Sequence, residues 1–192
     1  MINIEDKQTD TEITTISKTD YGNAFRYAIN SIDIFNWYIC GTLTWKDESR
    51  LSEDYYSQKL REYDFNHFLN VFCANYKLRT KYLEYYRGTE YMDRHGEAHF
   101  NFVLTRNSLE HISAIDGAAF MDKLWLNDLK PYDSEEHGIG MCKIRAFDHS
   151  KGNKWLNYIT KIEYDRFHVP KEHYGYLSTK LKRLIMSKNS LN

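Results

Sequence analysis

Residues 81–105, KYLEYYRGTEYMDRHGEAHFNFVLT, decide the fold because they have the pattern of a β-hairpin. The first arm is rich in tyrosine and other strand-forming residues, and residues 93–96 (DRHG) supply turn chemistry. Side chains in the second arm alternate between two faces. The apolar row contains Ala98, Phe100, Phe102 and Leu104. The polar row contains Glu97, His99 and Asn101, which indicates a site on an open sheet face.

The pairing within this hairpin predicts a cluster of metal-binding side chains. If Arg94 and His95 form a two-residue loop, Glu90 lies opposite His99, at about 5 Å between Cβ atoms. Glu90, His99 and Asn101 could then share one divalent cation. An imidazole nitrogen, a carboxylate and an amide oxygen suit Mg²⁺ or Mn²⁺ better than structural Zn²⁺. An ordinary cross-strand pair of Glu and His has the same pattern, so both interpretations are open at this point.

Length, charge and cysteine content limit the class of protein. The chain has 192 residues and a net charge of −1. Residues 1–19 are polar and rich in threonine and aspartate, so we expect a flexible arm there and one domain over 20–192. Contacts with nucleic acid must then come from local positive patches. The three cysteines have no paired spacing, which indicates a reducing compartment. We see no secretion signal and no membrane-spanning run, so we expect a cytoplasmic protein with no membrane partner.

The segments on either side of the hairpin predict an α+β fold. Residues 35–46, FNWYICGTLTWK, alternate as a strand whose apolar face carries Trp37, Ile39, Leu43 and Trp45. Ser52 and Glu53 begin a long helix, and Asn107 or Ser108 caps a second. We expect a central antiparallel five-stranded sheet with helices packed on one face and the other face open.

Two later segments add polar groups to the expected open face. Residues 137–147 form a predicted strand in which Lys143 and Arg145 point away from the core. If this strand joins the hairpin sheet, both cations share the face of His99; a solvated edge is the alternative. Asn153 caps a third helix, running to about residue 163, on which Tyr158 and Lys161 share a face. A basic C-terminal helix carries Lys180, Lys182, Arg183 and Lys188.

Three motifs follow one another along the chain: Gly-Thr-Leu-Thr-Trp at 41–45, His-Phe-Asn at 99–101 and Tyr-Ile-Thr-Lys at 158–161. In this order the chain resembles the HUH endonucleases, in particular the single-tyrosine Rep proteins that start rolling-circle replication of plasmids, phages and small circular single-stranded DNA viruses. That family carries an apolar-threonine strand, then His-apolar-His, then Tyr-x-x-Lys. The chain departs from the second motif at Asn101, which resembles the His-x-Gln variant of circovirus-type Reps.

The resemblance implies a metal-dependent attack of Tyr158 on single-stranded DNA, giving a 5′-phosphotyrosine and a free 3′-OH. Mg²⁺ or Mn²⁺ would be held by His99, Asn101 and Glu90, with Glu97 or His95 as alternative ligands. Lys161 would assist the nucleophile. The groups lining the DNA path would be Thr42, Thr44, Lys143 and Arg145. The expected partner is single-stranded or hairpin origin DNA in a bacterial host cell.

The chain has no P-loop motif. Any helicase is therefore another protein or another domain of a longer one.

Other functions also fit this pattern. An HUH transposase or relaxase would apply the same chemistry to different DNA, although the His-rich triad of relaxases is absent. A non-catalytic RRM-like sheet would stack bases on aromatic rings and would need neither Tyr158 nor metal. A purely structural α+β domain is the remaining alternative.

Overall fold

The computed structural model describes residues 25–46, 55–91, 98–107, 109–132, 135–160 and 175–189. Several predictions fall outside these ranges: the arm over 1–19, the helix start at Ser52 and Glu53, Ser108, the turn at 93–96 with His95, and the residues Glu97 and Lys161. No helix within the described ranges is both long and apolar enough to cross a membrane.

Five antiparallel strands form one sheet in the order β4-β1-β3-β2-β5. Their bounds are β1 Trp37–Leu43, β2 Tyr85–Tyr91, β3 Ala98–Thr105, β4 Cys142–Ala146 and β5 Gly175–Leu177. Strand β3 lies at the centre and pairs with β1 on one side and β2 on the other. The predicted α+β class with a five-stranded antiparallel sheet is confirmed.

The register of the hairpin is the predicted one. Glu90 pairs with His99, and the same register continues to Tyr85 opposite Leu104. Because each pair is directly opposed, a polar side chain on β2 meets its partner on β3 without a bulge between them. The hairpin therefore places Glu90 and His99 side by side.

The first face of the sheet is covered by two helices, α2 (Tyr55–Asn75) and α3 (Ala114–Lys123). Phe100 and Phe102 of β3 lie on this face with no exposed surface. The Phe65 ring of α2 meets both of them edge-on, at centroid distances of 5.8 and 5.9 Å. Such pairs add to the free energy of burying the rings, so this layer is the main core.

The start of α3 differs from the prediction. The N-cap is Ser113, whose hydroxyl accepts from the Asp116 N–H, and not Asn107 or Ser108. The Asn107 amide instead donates to the Glu84 carboxylate at 2.7 Å. The Asn107 side chain therefore bonds to a residue distant in sequence and does not cap α3. Helix α3 continues as a π-helical turn over Leu124–Asp128.

The second face carries three further helices over part of its area, so it is less open than predicted. They are a helical segment α1 over 25–30, α4 (Lys154–Ile159) and α5 (Thr179–Asn189). Trp37, Cys40, Tyr86 and Val103 of the sheet pack beneath them. Apolar residues at these positions need cover, which explains why the helices lie there. The predicted basic C-terminal helix is present as α5.

Strand β1 contains a bulge that reverses part of its predicted facing. Between Trp37 and Ile39 the strand advances two residues while its partner β3 advances one, from Thr105 to Leu104. Trp37 therefore packs in the second-face cluster and Tyr38 against the first-face core. The prediction that Trp37 shares a face with Ile39 is wrong, because the extra residue breaks strict alternation.

Candidate active site

A chain of hydrogen bonds crosses the uncovered part of the second face. The Thr42 hydroxyl of β1 donates to the Asn101 side-chain oxygen of β3 at 2.7 Å. The Asn101 amide nitrogen donates to Oε2 of Glu90 on β2 at 3.0 Å. Asn101 itself is buried. Three neighbouring strands thus align their polar groups into one connected network ending at Glu90.

His99 lies beside the end of this network. Its Nε2 atom is 3.9 Å from Oε2 of Glu90, and its side chain is 13% exposed. The pairing of Glu90 with His99 across the hairpin sets this proximity. An imidazole and a carboxylate thus face one another at a partly open position.

Tyr158 comes to the same place from α4. Its hydroxyl lies 3.0 Å from Oε1 and 2.8 Å from Oε2 of Glu90 and donates to this carboxylate. The residue is 41% exposed, so solvent and a substrate can reach it. The phenol and the His99 imidazole therefore lie on the same side of the sheet. Tyr158 is 68 positions after Glu90 in the sequence.

A glycine in β2 explains how α4 reaches the sheet. A Cβ atom at Gly88 would lie 2.3 Å from the backbone oxygen of Ile159, which leaves no room for any side chain. The Tyr86 hydroxyl donates to that same oxygen at 3.3 Å. Leu156 and Ile159 are buried beneath the helix. Close backbone approach at a strand glycine thus fixes the position of Tyr158, one residue before Ile159.

The short helix is also held from its outer side. The Thr160 hydroxyl donates to the Leu156 oxygen at 2.9 Å and accepts from Arg26 of α1 at 3.5 Å. Asn30 of α1 donates to the Asn157 side chain at 3.3 Å. Helix α4 ends at Ile159, and Thr160 lies in a turn. The predicted continuation to about residue 163 falls outside the described residues.

A cationic cleft adjoins Tyr158. The Trp155 ring stacks on the Tyr158 ring at 5.5 Å with an interplanar angle of 26°. The Arg145 guanidinium lies 5.8 Å from the Trp155 ring. Lys151 and Lys154 also line this cleft of about 190 Å³, together with Asp148, whose carboxylate lies 3.2 Å from the Lys151 ammonium. A stacking surface beside three cations and one carboxylate keeps a net positive charge, which suits a base and its phosphates.

Cys40 lies in the wall of the same cleft but is poorly suited to be a nucleophile. Burial raises the pKa of its thiol, and a hydrogen bond with Arg145 lowers the pKa by less. The thiolate is the reactive form of cysteine. Tyr158 is the better nucleophile candidate in this cleft, because its hydroxyl is accessible and contacts the Glu90 carboxylate, whereas Cys40 is buried.

The side chains beside Glu90 supply some of the ligands that a divalent cation needs. The described residues contain no group of three or more His, Cys, Asp or Glu side chains arranged for a metal. Glu90 and His99 supply a carboxylate and an imidazole, and Asn101 presents its nitrogen to Glu90. Turning that amide by half a rotation presents its oxygen instead, and Thr42 can accept from the nitrogen. That rotation would give an imidazole nitrogen, a carboxylate oxygen and an amide oxygen, which is a donor set of the kind that Mg²⁺ or Mn²⁺ takes.

The other predicted DNA-path residues lie at different distances from this centre. Lys143 pairs with Thr42, and Arg145 pairs with Cys40, so both share the second face. Thr44 lies beyond the end of β1, where its hydroxyl donates to the Met141 oxygen at 3.0 Å. The structure thus brings Arg145 and Lys143 toward the site, whereas Thr44 is bound to the sheet edge.

Two residues of the site were not singled out in the sequence. Trp155 precedes Tyr158 by three positions, the same helical spacing that links Tyr158 to Lys161. Gly88 stands inside a predicted strand, where glycine often marks a close backbone approach. The sequence alone contains both patterns.

No family model matches the chain, and searches of curated proteins and of solved structures found no match. The evidence for function is therefore the arrangement of side chains around Glu90.

Proposed function

We propose that this chain is an HUH-type single-stranded DNA endonuclease and strand transferase of the kind that starts rolling-circle replication. The observation that carries the proposal is the Tyr158 hydroxyl 2.8 Å from Glu90, with the His99 imidazole beside the same carboxylate. Glu90 and His99 of one hairpin meet Tyr158 of a later helix on one polar patch, an arrangement that supports this chemistry. The resemblance of the three motifs supports the same reaction.

The reaction follows from the contacts of Tyr158. A free phenol has a pKa near 10 and is mostly protonated at neutral pH. Glu90 is within hydrogen-bond reach and accepts the phenolic proton as the oxygen attacks phosphorus. The new bond joins Tyr158 to the 5′-phosphate, and the bond from phosphorus to the 3′-oxygen breaks. That oxygen leaves and takes up a proton as a free 3′-OH, and the reverse reaction rejoins the ends.

A divalent cation would be held by Glu90, His99 and the Asn101 side-chain oxygen. It would polarise the scissile phosphate and offset its developing charge. Arg145, Lys151 and Lys154 line the adjacent cleft and outnumber its one carboxylate, Asp148, so the cleft favours phosphates. Trp155 offers a face for the neighbouring base. Lys161 remains a predicted aid to the nucleophile.

The test is formation of a covalent adduct. Short labelled single-stranded hairpins are incubated with the protein and Mn²⁺, and a denaturing gel shows whether DNA becomes attached. We expect the adduct from the native chain and none from Tyr158→Phe, while Tyr63→Phe, an exposed phenol on α2, behaves as the native chain. Cleavage by Tyr158→Phe would refute the assignment of the nucleophile.

A second measurement addresses the metal. His99→Ala should abolish cleavage that depends on added Mn²⁺, since one of two well-placed ligands is lost. Circular dichroism should show the fold retained, because His99 is partly exposed. An unchanged Mn²⁺ titration would remove His99 from the proposed ligand set.

The non-catalytic RRM-like alternative is less well supported. Such sheets bind bases on exposed rings of the central strands. Within the described parts of β1, β2 and β3, the tryptophan and tyrosine on the second face are Trp37 and Tyr86, and both are buried. The polar groups Thr42, Asn101 and Glu90 occupy the uncovered area instead. A transposase would use the same residues on a different DNA substrate, whereas the His-rich triad of relaxases is absent from the sequence.

A further inference from the structure

A second cationic cleft lies at the edge of the sheet, at the other end of β2 from Glu90. It has a volume of about 460 Å³. Its walls are the turn around Thr80–Tyr82, the strand β5 and the first residues of α5. From Tyr85 at this cleft to Glu90 the strand rises roughly 17 Å, at ~3.3 Å per residue. The cleft is therefore separate from the site of Tyr158 but within reach of one extended ligand.

Positive charge is concentrated at this cleft. Lys81 stands on one wall, and Lys180 and Arg183 on the other. All three are exposed, and the described residues lining the cleft include no carboxylate. In a chain of net charge −1 this local excess is large. An anionic ligand is the natural occupant.

Two exposed aromatic rings accompany these cations. Tyr82 is 51% exposed and Tyr176 is 40% exposed. The Lys81 ammonium lies 5.0 Å from the Tyr82 ring, and the Lys182 ammonium lies 5.6 Å from the Tyr176 ring. Rings interleaved with cations bind unpaired bases by stacking and their phosphates by charge. This pairing distinguishes the cleft from a plain basic surface.

The cleft is rigidly tied to the sheet. The Ser178 hydroxyl accepts from the Tyr85 N–H at 3.0 Å and from the Leu181 N–H at 3.2 Å. The Ser178 N–H donates to the Tyr85 oxygen at 2.9 Å. These bonds fix the start of α5 beside β2, so the cations of α5 keep their position relative to the candidate active site.

We propose that this cleft, formed by Lys81, Tyr82, Tyr176, Lys180 and Arg183, is a second binding surface for single-stranded DNA. It rests on the proposed function for the identity of the polymer as DNA. A strand bound at Tyr158 passes outside the helices that cover the second face of β2, because Gly88 and Tyr86 are buried there, and it is held here through its phosphates and stacked bases. The cleft thus lengthens the footprint of the protein on an unpaired strand and prevents a nicked strand from diffusing away.

The test measures binding in the Tyr158→Phe background, so that nicking is not needed. The Lys180→Gln/Arg183→Gln variant is compared with Lys123→Gln/Lys130→Gln, which removes the same charge from exposed positions outside the cleft. Fluorescent single-stranded DNAs of about 6 and 30 nucleotides are the probes, chosen against OB-fold site sizes of 4–16 nucleotides. We expect the cleft variant to bind the longer strand about tenfold more weakly at 0.1 M salt, with a salt slope smaller by about 1.4.

Several outcomes would overturn this proposal. Equal loss in both double variants would mean that net charge alone matters. Equal loss for a duplex of the same length would mean that unpaired bases are not recognised, and Tyr82→Leu with unchanged affinity would exclude stacking. If the native chain forms no covalent adduct but the cleft variant still loses affinity for the longer strand, the cleft stands and the nicking function fails. If the native chain forms adducts and the cleft variant binds the longer strand normally, the nicking function stands and the second binding surface is refuted.

Discussion

The two faces of strand β3 have different chemistry, although one run of eight residues supplies both. Phe100, Phe102 and Leu104 point into a core sealed by α2 and α3, with no exposed surface. His99 and Asn101 point to the other face, where Thr42, Glu90 and Tyr158 meet them. The first face therefore holds the domain together, and the second face keeps polar groups that a purely stabilising design would not place there.

The largest expected effect on stability comes from the first face. Phe102→Ala should lower the free energy of unfolding by about 3–5 kcal/mol, because it leaves a cavity between β3 and the Phe65 and Phe68 rings. Urea unfolding measures this change. His99→Ala is the matched change on the second face and should cost under about 1 kcal/mol. Equal losses of unfolding free energy in the two variants would show that the two faces contribute alike to stability.

The next largest effect should come from Gly88→Ala, which should lower both the stability and the cleavage activity. The added methyl group would lie 2.3 Å from the Ile159 oxygen, so α4 must move off the sheet. We expect a loss of about 1–3 kcal/mol and a fall in cleavage of about 10²-fold, because Tyr158 leaves Glu90.

Tyr86→Phe is the control for Gly88→Ala. It removes a hydrogen bond to the same Ile159 oxygen without adding an atom. Cleavage by Tyr86→Phe should be close to native. If both variants lose activity equally, the close approach at Gly88 is not what positions Tyr158.

A smaller effect is expected from Thr42→Val, which removes the bond to Asn101 with little change of shape. The free energy of unfolding should fall by about 0.5–1.5 kcal/mol, and cleavage should fall several-fold as the Asn101 amide loses its anchor. Thr44→Val removes a comparable bond to Met141 at the sheet edge. Thermal unfolding should respond to both variants, whereas the adduct assay should respond only to Thr42→Val.

The smallest effect concerns thiols on the two faces. Burial raises the pKa of Cys73, in the first-face core, to about 11, and burial also raises the pKa of Cys40 on the second face. A raised pKa means less thiolate at any given pH, so both should react slowly with a thiol reagent at pH 8 and faster as the pH rises. Arg145→Ala should slow Cys40 further and leave Cys73 unchanged, because Arg145 lowers the pKa of Cys40 alone. Mass spectrometry of the alkylated peptides distinguishes the two.

The sequence predicted much of the hairpin and less of what surrounds it. Alternation in β3 and the pairing of Glu90 with His99 follow from local geometry, so they were predictable. The bulge at Trp37 was not, since it depends on how β1 meets both layers. The cap at Ser113 was not predicted either, because the Asn107 side chain bonds to Glu84, a contact that local sequence does not reveal. The helix that carries Tyr158 was predictable from local sequence, but its close contact with Gly88 depends on tertiary packing and was not.

The bulge in β1 has a consequence for how this architecture tolerates change in chain length. The extra residue lies between Trp37 and Ile39, and the regular register with β3 and β4 resumes from Ile39 onward. A length change before Trp37 can thus be taken up at the bulge, leaving Thr42 and its partners in place. The facing of Thr42 toward the candidate active site is therefore independent of the facing of Trp37, so a one-residue change between α1 and β1 should alter the bulge while the polar network around Glu90 keeps its register.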